Sequence, residues 1–220
     1  MLEKSFAFLT PLRENNNRDW YHAHKSLYQA AREEFEQITE ILLHEVGQFD
    51  KSVAGLIPKD CIFRIFRDVR FSKDKSPYKT NFGTFLSAGG RKSTHAGYYL
   101  HIEPGGSFVA AGIYMPPPEV LRAIRNDIVE HYREYIEIIE EKELKEHFGE
   151  VSGEKLKLPP KGFDKEFEGI EHLKFKNYGL ITSRTDKQIQ NNDSFGEIVS
   201  LFRIASPFVK FLNQAAMNVT

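Results

Sequence analysis

Six basic side chains lie between residues 61 and 80, where only Asp68 and Asp74 are acidic, so this segment has a net charge of +4 in a chain whose net charge is −1. We call residues 61–80 the basic block. Arginine can donate two parallel hydrogen bonds to a phosphate or a carboxylate, and lysine supplies a mobile positive charge. The block therefore predicts a binding site for an anion. The predicted ligands of this anion are Arg64, Arg70, Ser72, Lys73, Lys75, Tyr78 and Lys79.

A structural role for the same residues is the alternative. Asp68 lies between Arg64 and Arg70, so these three side chains could form a ladder of ion pairs while the lysines keep a loop solvated. Arg67 interrupts an apolar face, and an unpaired buried guanidinium is costly, so we expect Arg67 to be buried and paired as structural support. Asp68 and Trp20 are expected to support the site structurally as well. The excess charge of +4 favours binding over a ladder.

A metal site is the second candidate for chemistry. His101 and Glu103 are two residues apart on a predicted strand and share one face, and His95 lies in a nearby glycine-rich loop. A carboxylate and two histidines can hold a metal, but His-x-Glu is a common triplet, and a surface role is favoured. Cys61 is the one cysteine, which excludes an internal disulfide and a zinc site made of four thiolates. We predict no metal and no cofactor.

The composition limits the class of protein. A chain of 220 residues with 40% hydrophobic and 28% charged residues is typical of a globular protein with a substantial core. Glu3 stands where a signal peptide would be basic, and no apolar run approaches the roughly 20 residues that span a bilayer. We therefore expect a soluble, cytoplasmic protein that does not associate with a membrane. The near-neutral net charge makes nucleic acid an unlikely partner.

Sequence periodicity predicts the elements that position these residues. Helices are predicted over about 3–13, 18–49, 116–147 and 193–217, the last one kinked or interrupted near Pro207. Strands are predicted over 61–71 and 80–88, followed by a hairpin over 97–115 with its turn at residues 104–107. A polar, flexible connector is predicted at about 149–164. This order predicts an α+β fold, with a mostly antiparallel sheet in the middle of the chain packed by N-terminal, central and C-terminal helices, in a single domain covering residues 1–220.

Several sequence blocks resemble one known family. "NNNRDW", "RIFRDVRFSKDKSPYK", "GYYLHIEPGGSF", "IRNDI" and "LKLPPKGFD" occur in the order seen in the domain-of-unknown-function 2461 family. The resemblance covers nearly the whole chain and is most specific in the second block. It departs from the family pattern at Ala110 and Ala111, where glycines are expected before Gly112. The resemblance implies a single domain and no established activity.

Three functions are consistent with these patterns. The first is binding of an anionic small molecule with a phosphate or carboxylate group through the basic block, with or without catalysis. The second is a protein-interaction module in which the same basic face docks an acidic protein surface. The third, disfavoured by the net charge, is a nucleic-acid contact module that stacks bases on exposed aromatic rings. We expect the first function, and a structure tests whether the basic side chains converge.

Overall fold

The structure of the protein, a computed structural model, describes residues 2–217 and the side chains of residues 2–215. Four strands are present in this part of the chain: β1 (Phe82–Leu86), β2 (Gly97–Ile102), β3 (Phe108–Ile113) and β4 (Tyr178–Ser183). They form one antiparallel sheet in the order β1-β2-β3-β4. Helices occur before, between and after these strands along the chain, and together with the antiparallel sheet they confirm the predicted α+β class.

Helices make up most of the remaining regular structure. The α-helices within the described residues are α1 (Glu3–Glu14), α2 (Arg18–Ala23), α3 (Lys25–Phe49), α4 (Pro58–Cys61), α5 (Pro118–Glu130), α6 (Tyr132–Ile139), α7 (Lys142–Phe148), α8 (Ile170–Leu173), α9 (Asp186–Gln190) and α10 (Ser194–Met217). α1 continues past Pro11, and α10 continues through Pro207 without the interruption that the sequence predicted. None of the described helices is both long and apolar enough to cross a membrane.

Two predicted helices are divided. The helix expected over 18–49 breaks at His24, which has φ −112° and ψ 26° and ends α2. The helix expected over 116–147 breaks at His131, which has φ −116° and ψ 37°, and again after α6. Apolar spacing alone does not reveal such breaks, because both sides of each break continue the same hydrophobic pattern.

The strand predicted over 61–71 is wrong. Cys61 ends α4, and the following residues form an irregular loop whose pairing is limited to isolated bridges, Ile62 with Thr84 and Phe66 with Tyr78. The predicted strand over 80–88 and the predicted hairpin are confirmed as β1, β2 and β3. β4 was not predicted. Parts of the predicted connector also pair, since Ser152 bridges Gly179, while its flexibility stays a prediction.

Contacts divide the described residues into two compact units, each with its own aromatic core. Unit 1 comprises the described residues of Met1–Arg91, Tyr99–Val109 and Ser183–Ser200. In its core Phe82 stacks on Phe8 and Phe35, at ring distances of 6.1 and 5.4 Å. Unit 2 comprises Lys92–Tyr98, Ala110–Thr182 and the described residues of Leu201–Thr220. In its core Tyr98 packs on Phe202 at 5.3 Å. The basic block lies entirely in unit 1.

Candidate functional site

The basic block follows α4 as a loop that β1 holds at its base. The amide of Phe63 donates to the carbonyl of Gly83 in β1, at 2.9 Å. Within the loop, Lys79 N donates to Ile65 O at 2.8 Å, and Arg67 N donates to Pro77 O at 3.0 Å. Lys79 therefore lies opposite Ile65, next to Arg64. The rest of the loop, residues 67–76, which we call the loop tip, extends beyond these hydrogen bonds.

The side chain of Asn16 fixes the loop from its other side. Its Nδ2 donates to the carbonyl of Tyr78 at 3.0 Å, and its Oδ1 accepts the Tyr78 amide at 3.1 Å. The neighbouring asparagines have different roles. Asn15 donates to Pro11 O at the end of α1, and Asn17 caps α2 by accepting the amide of Trp20. Each asparagine of the "NNNRDW" block thus satisfies a different backbone segment.

Three of the six basic side chains already have partners in the loop tip. Arg67 forms an ion pair with Asp74, and its side chain is 28% exposed, so it is paired but only partly buried. Arg70 contacts both oxygens of Asp68, at 3.0 and 2.7 Å, and these hydrogen bonds lower the pKa of Asp68 to about 2. Lys75 donates to the carbonyl of Val69 at 2.9 Å. The ion pair of Asp68 and Arg70 is one of the pairs expected if the basic block has a structural role.

Arg64 and Lys79 differ from these three basic side chains in having no such partner in the part of the chain that the structure describes. Within the described residues neither side chain makes an ion pair or a hydrogen bond. Lys79 is half-buried with its Nζ 5.3 Å from the centre of the Phe63 ring. Burial, followed by repulsion from the Arg64 guanidinium, lowers the pKa of Lys79. The charge of Arg64 also helps to lower the pKa of Asp68, so Arg64 has a carboxylate nearby. Arg64 and Lys79 are therefore neighbouring cations, and neither forms a direct ion pair within the described residues.

The other predicted anion ligands make no described side-chain contact with Arg64 or Lys79. Ser72 and Lys73 make no side-chain hydrogen bond or ion pair to any residue that the structure describes. Tyr78 is buried, with 3% of its surface exposed, and its ring stacks on Tyr21 at 4.2 Å. Trp20 is half-buried and stacks on His24 at 4.1 Å. The predicted ligands thus do not converge on one point, and the structure brings together only Arg64 and Lys79.

A hydrogen-bonded chain of titratable side chains lies on β2 and just beyond it. Tyr99 Oη is 3.0 Å from His101 Nδ1, and His101 Nε2 is 3.2 Å from Glu103 Oε2. Thr80 donates its hydroxyl to the other oxygen of Glu103 at 2.5 Å. An ionised carboxylate can only accept, so Nε2 of a neutral His101 carries its proton and Nδ1 accepts the Tyr99 hydroxyl. We call Tyr99, His101 and Glu103 the β2 chain.

Packing holds the β2 chain in place. The ring of His101 stacks on Phe108 of β3 at 4.5 Å and 14°. The hydroxyl of Tyr99 lies against the backbone of β1, where a Cβ added to Gly83 would be 2.4 Å from Oη. Tyr99 also meets Phe63 edge to face at 6.1 Å. The same Phe63 ring contacts Lys79, so Lys79 and Tyr99 of the β2 chain both pack against Phe63.

Burial sets the protonation of the β2 chain. It raises the pKa of Tyr99 to about 12, with a further contribution from the charge of Glu103. It lowers the pKa of His101, an effect that Lys79 reinforces and that Glu103 opposes. At neutral pH these shifts favour a neutral phenol beside a neutral imidazole. These shifts hold the proton on the phenol at rest, so His101 would accept it only while the Tyr99 oxygen forms a bond to another atom.

The β2 chain does not have the arrangement predicted for a metal site. His101 and Glu103 share a face as predicted, but they bind each other, and His95 contacts Ser93 instead. Among the described residues, a cluster of potential metal ligands occurs elsewhere, at Asp127, Glu130 and His131, and the last two are exposed. Exposed acidic groups are common without a metal, so the predicted absence of a metal stays a prediction. The sequence signal for the β2 chain is the alternation Tyr-x-His-x-Glu, and Tyr99 was not among the predicted site residues.

An open cleft of about 570 Å³ lies near the β2 chain, at the turn between β2 and β3. Its walls are Gly105–Ser107 and residues 183–188, which include the start of α9. None of the basic block lines it. Two of its charged residues are already engaged, since Arg184 pairs with Glu197 and Asp186 accepts the amide of Gly105. We take Arg64, Lys79 and the β2 chain as the candidate site, because Lys79 and Tyr99 both contact Phe63 and Lys79 acts on His101.

Comparison with known proteins agrees with the sequence resemblance. No curated protein and no solved structure gives a significant match to the chain. A family model described as "Conserved hypothetical protein (DUF2461)" matches residues 4–211. Because this match covers nearly the whole chain, including the basic block and the β2 chain, the protein belongs to the DUF2461 family.

Proposed function

We propose that the protein binds a small molecule with a phosphate or carboxylate group through Arg64 and Lys79. The observation that supports this proposal is the state of Lys79, which is half-buried, lies beside Arg64 and has no acidic partner among the described residues. Removing a cation from water beside another cation is unfavourable. An anion between the two side chains would offset both costs, with Arg64 donating paired hydrogen bonds and Lys79 a point charge.

A thermal-shift series tests this proposal. Phosphate, sulfate and citrate should raise the melting temperature of the wild type more than chloride at equal ionic strength, because a ligand that binds only the folded state stabilises it by mass action. A ligand at 100 times its dissociation constant contributes about 2.7 kcal/mol. For a chain of this size each kcal/mol corresponds to about 2–4 °C. The rise in melting temperature should disappear in Lys79→Ala. It should be smaller in Arg64→Lys, which keeps the positive charge but cannot donate two parallel hydrogen bonds.

Matched variants in the same loop provide the control. Lys73→Ala removes an exposed lysine without a described partner and should leave the response to small anions unchanged. The double variant Arg70→Ala, Lys75→Ala removes cations that Asp68 and Val69 already engage, and it should respond like the wild type. A response that survives in Lys79→Ala but is lost in the double variant would contradict the proposed site and move it to the loop tip.

Docking of an acidic protein surface is the second candidate function, and Phe71 favours it. This ring is 97% exposed at the loop tip, and the Arg70 guanidinium lies 6.0 Å from its centre. An exposed aromatic ring beside cations is typical of the anchors of protein interfaces. The thermal-shift series can include poly-glutamate as a model acidic partner. A poly-glutamate response that Phe71→Ser and Lys73→Ala abolish, and that Lys79→Ala preserves, would favour docking over small-anion binding.

A further inference from the structure

The β2 chain has the geometry of an activated nucleophile. In such sites the nucleophile lies within hydrogen-bonding distance of a base, and a third group orients that base. Tyr99 lies 3.0 Å from His101, and His101 lies 3.2 Å from Glu103, whose second oxygen is held by Thr80. Gly83 leaves the space that the Tyr99 hydroxyl occupies. Contacts therefore fix both the Tyr99 hydroxyl and the Glu103 carboxylate of the β2 chain.

We propose that Tyr99 is a catalytic nucleophile, that His101 is its general base and that Glu103 positions His101. The proposal rests on the proposed function, because it makes the anion held by Arg64 and Lys79 part of a substrate. The substrate class is an ester with a negatively charged group. Phe63 supports this assignment, since its ring contacts both Lys79 and Tyr99, and the charge of Lys79 acts on His101.

The reaction balances without an external redox partner. The Tyr99 oxygen attacks the ester carbonyl carbon, a new C–O bond forms, and the phenol proton moves to Nδ1 of His101. The bond from carbon to the alcohol oxygen then breaks, and His101 returns the proton to the departing alcohol. Water adds to the acyl-tyrosine, its hydroxyl stays on the acyl carbon, and its remaining proton restores the Tyr99 hydroxyl.

A sulfonyl fluoride with a carboxylate, 4-(fluorosulfonyl)benzoate, probes this nucleophile. Attack of the Tyr99 oxygen on sulfur forms an S–O bond and releases fluoride, while His101 takes the phenol proton. Peptide mapping by mass spectrometry then compares labelling of Tyr99 with labelling of Tyr114, a tyrosine that is 80% exposed and outside the β2 chain. We expect Tyr99 to react faster than Tyr114. His101→Gln should slow Tyr99 labelling by about 100-fold, the lower end of the usual contribution of a general base.

Three controls accompany the labelling. His44→Gln replaces an exposed histidine on α3 and should leave the rate unchanged. Benzenesulfonyl fluoride, which lacks the carboxylate, should label Tyr99 about tenfold more slowly than the anionic reagent in the wild type, because a basic site concentrates anions. This preference should disappear in Lys79→Ala. Thermal unfolding of each variant checks that it is folded.

The pH profile separates assisted attack from ordinary ionisation. An unassisted tyrosine reacts as its phenolate, so its rate rises about tenfold per pH unit up to a pKa of about 10. Tyr99 should instead reach a plateau above the pKa of His101. The groups that act on His101 are Glu103 and Tyr99 on its own segment and Lys79 from the loop, and the pKa of His101 is lowered overall. The plateau should therefore begin below about pH 6.5.

The outcomes distinguish this inference from the proposed function. If Tyr99 reacts no faster than Tyr114, or if His101→Gln leaves its rate unchanged, the nucleophile is overturned even where anions still stabilise the protein through Lys79. If Tyr99 reacts rapidly and needs His101 but labels equally with both reagents, the nucleophile stands and the anion site is overturned. A Tyr99 rate that rises steadily with pH, like that of an unassisted phenol, would also overturn His101 as the base.

Discussion

Single atoms decide the local geometry of the candidate site. Tyr99 can lie against β1 only because residue 83 has no side chain, and Glu103 can bind Thr80 and His101 at once because its two oxygens point to different partners. Three of the basic side chains find partners a few residues away in the chain. Residue types predicted that this segment is basic, but they could not predict which cations are neutralised locally, since that depends on the path of the loop.

Gly83→Ala tests the first of these contacts. The added Cβ would be 2.4 Å from the Tyr99 hydroxyl and 3.0 Å from its ring, so the ring must move. We expect a loss of roughly 1–3 kcal/mol in the free energy of unfolding, which is typical of overpacking, and loss of the rapid Tyr99 labelling. Urea unfolding measures the first effect.

Gly47→Ala is the matched control. An added Cβ at this position in α3 meets nothing within 4 Å, and alanine favours a helix over glycine by up to about 1 kcal/mol. This variant should be unchanged or slightly more stable. If the two variants unfolded at the same urea concentration, the close approach of Tyr99 to β1 would be refuted.

Some helices and strands could be predicted from the sequence, and others could not. Long amphipathic helices were recognisable because many apolar residues repeat along α3 and α10, and the hairpin was recognisable from its turn residues. The alternating residues 61–71 predicted a strand, yet a strand needs a continuous partner, and the loop offers only separate hydrogen bonds to Pro77, Ile65 and Gly83. β4 contains Gly179, which weakens its local strand signal. Pairing over a long sequence distance, and not local pattern, decides both cases.

Asn16→Ala tests how the loop is held at the level of its elements. The variant removes both hydrogen bonds to the backbone of Tyr78, while Asn15→Ala removes one exposed bond to Pro11 at the end of α1. We expect Asn16→Ala to cost about 1–3 kcal/mol, because it leaves polar backbone groups unsatisfied, and Asn15→Ala to cost less than about 1 kcal/mol. Urea unfolding compares the two, and equal losses would refute the role of Asn16.

At the scale of the whole molecule, two histidines link stability to pH. Burial lowers the pKa of His101 and of His172, whose Nδ1 is buried without a hydrogen-bond partner in the described structure. The folded protein therefore binds fewer protons than the unfolded chain in the range below the unfolded histidine pKa of about 6.5. This contribution to stability is full above that pKa and is lost as the pH falls through the folded value.

We therefore expect the melting temperature to be lower near pH 5.5 than near pH 7.5, on either side of the unfolded histidine pKa of about 6.5. His101→Gln and His172→Gln should each reduce this difference, and His44→Gln should not. The pKa of Asp68 is lowered to about 2, so its effect falls at lower pH and does not confuse the comparison. A difference that all three variants preserve would show that neither buried histidine is responsible.

The amide of Asn16 has a mechanical consequence. It binds both the N–H and the C=O of Tyr78, the peptide neighbour of Lys79, and so behaves like one residue of an added strand between the α1–α2 turn and the loop. Lys79 is held on one side by Ile65 and on the other through this single side chain. A force applied by a ligand at the Lys79 ammonium would reach the ends of α1 and α2 over the length of one lysine and one asparagine. A displacement of the loop at Tyr78 would therefore be passed through this one side chain to the turn between α1 and α2.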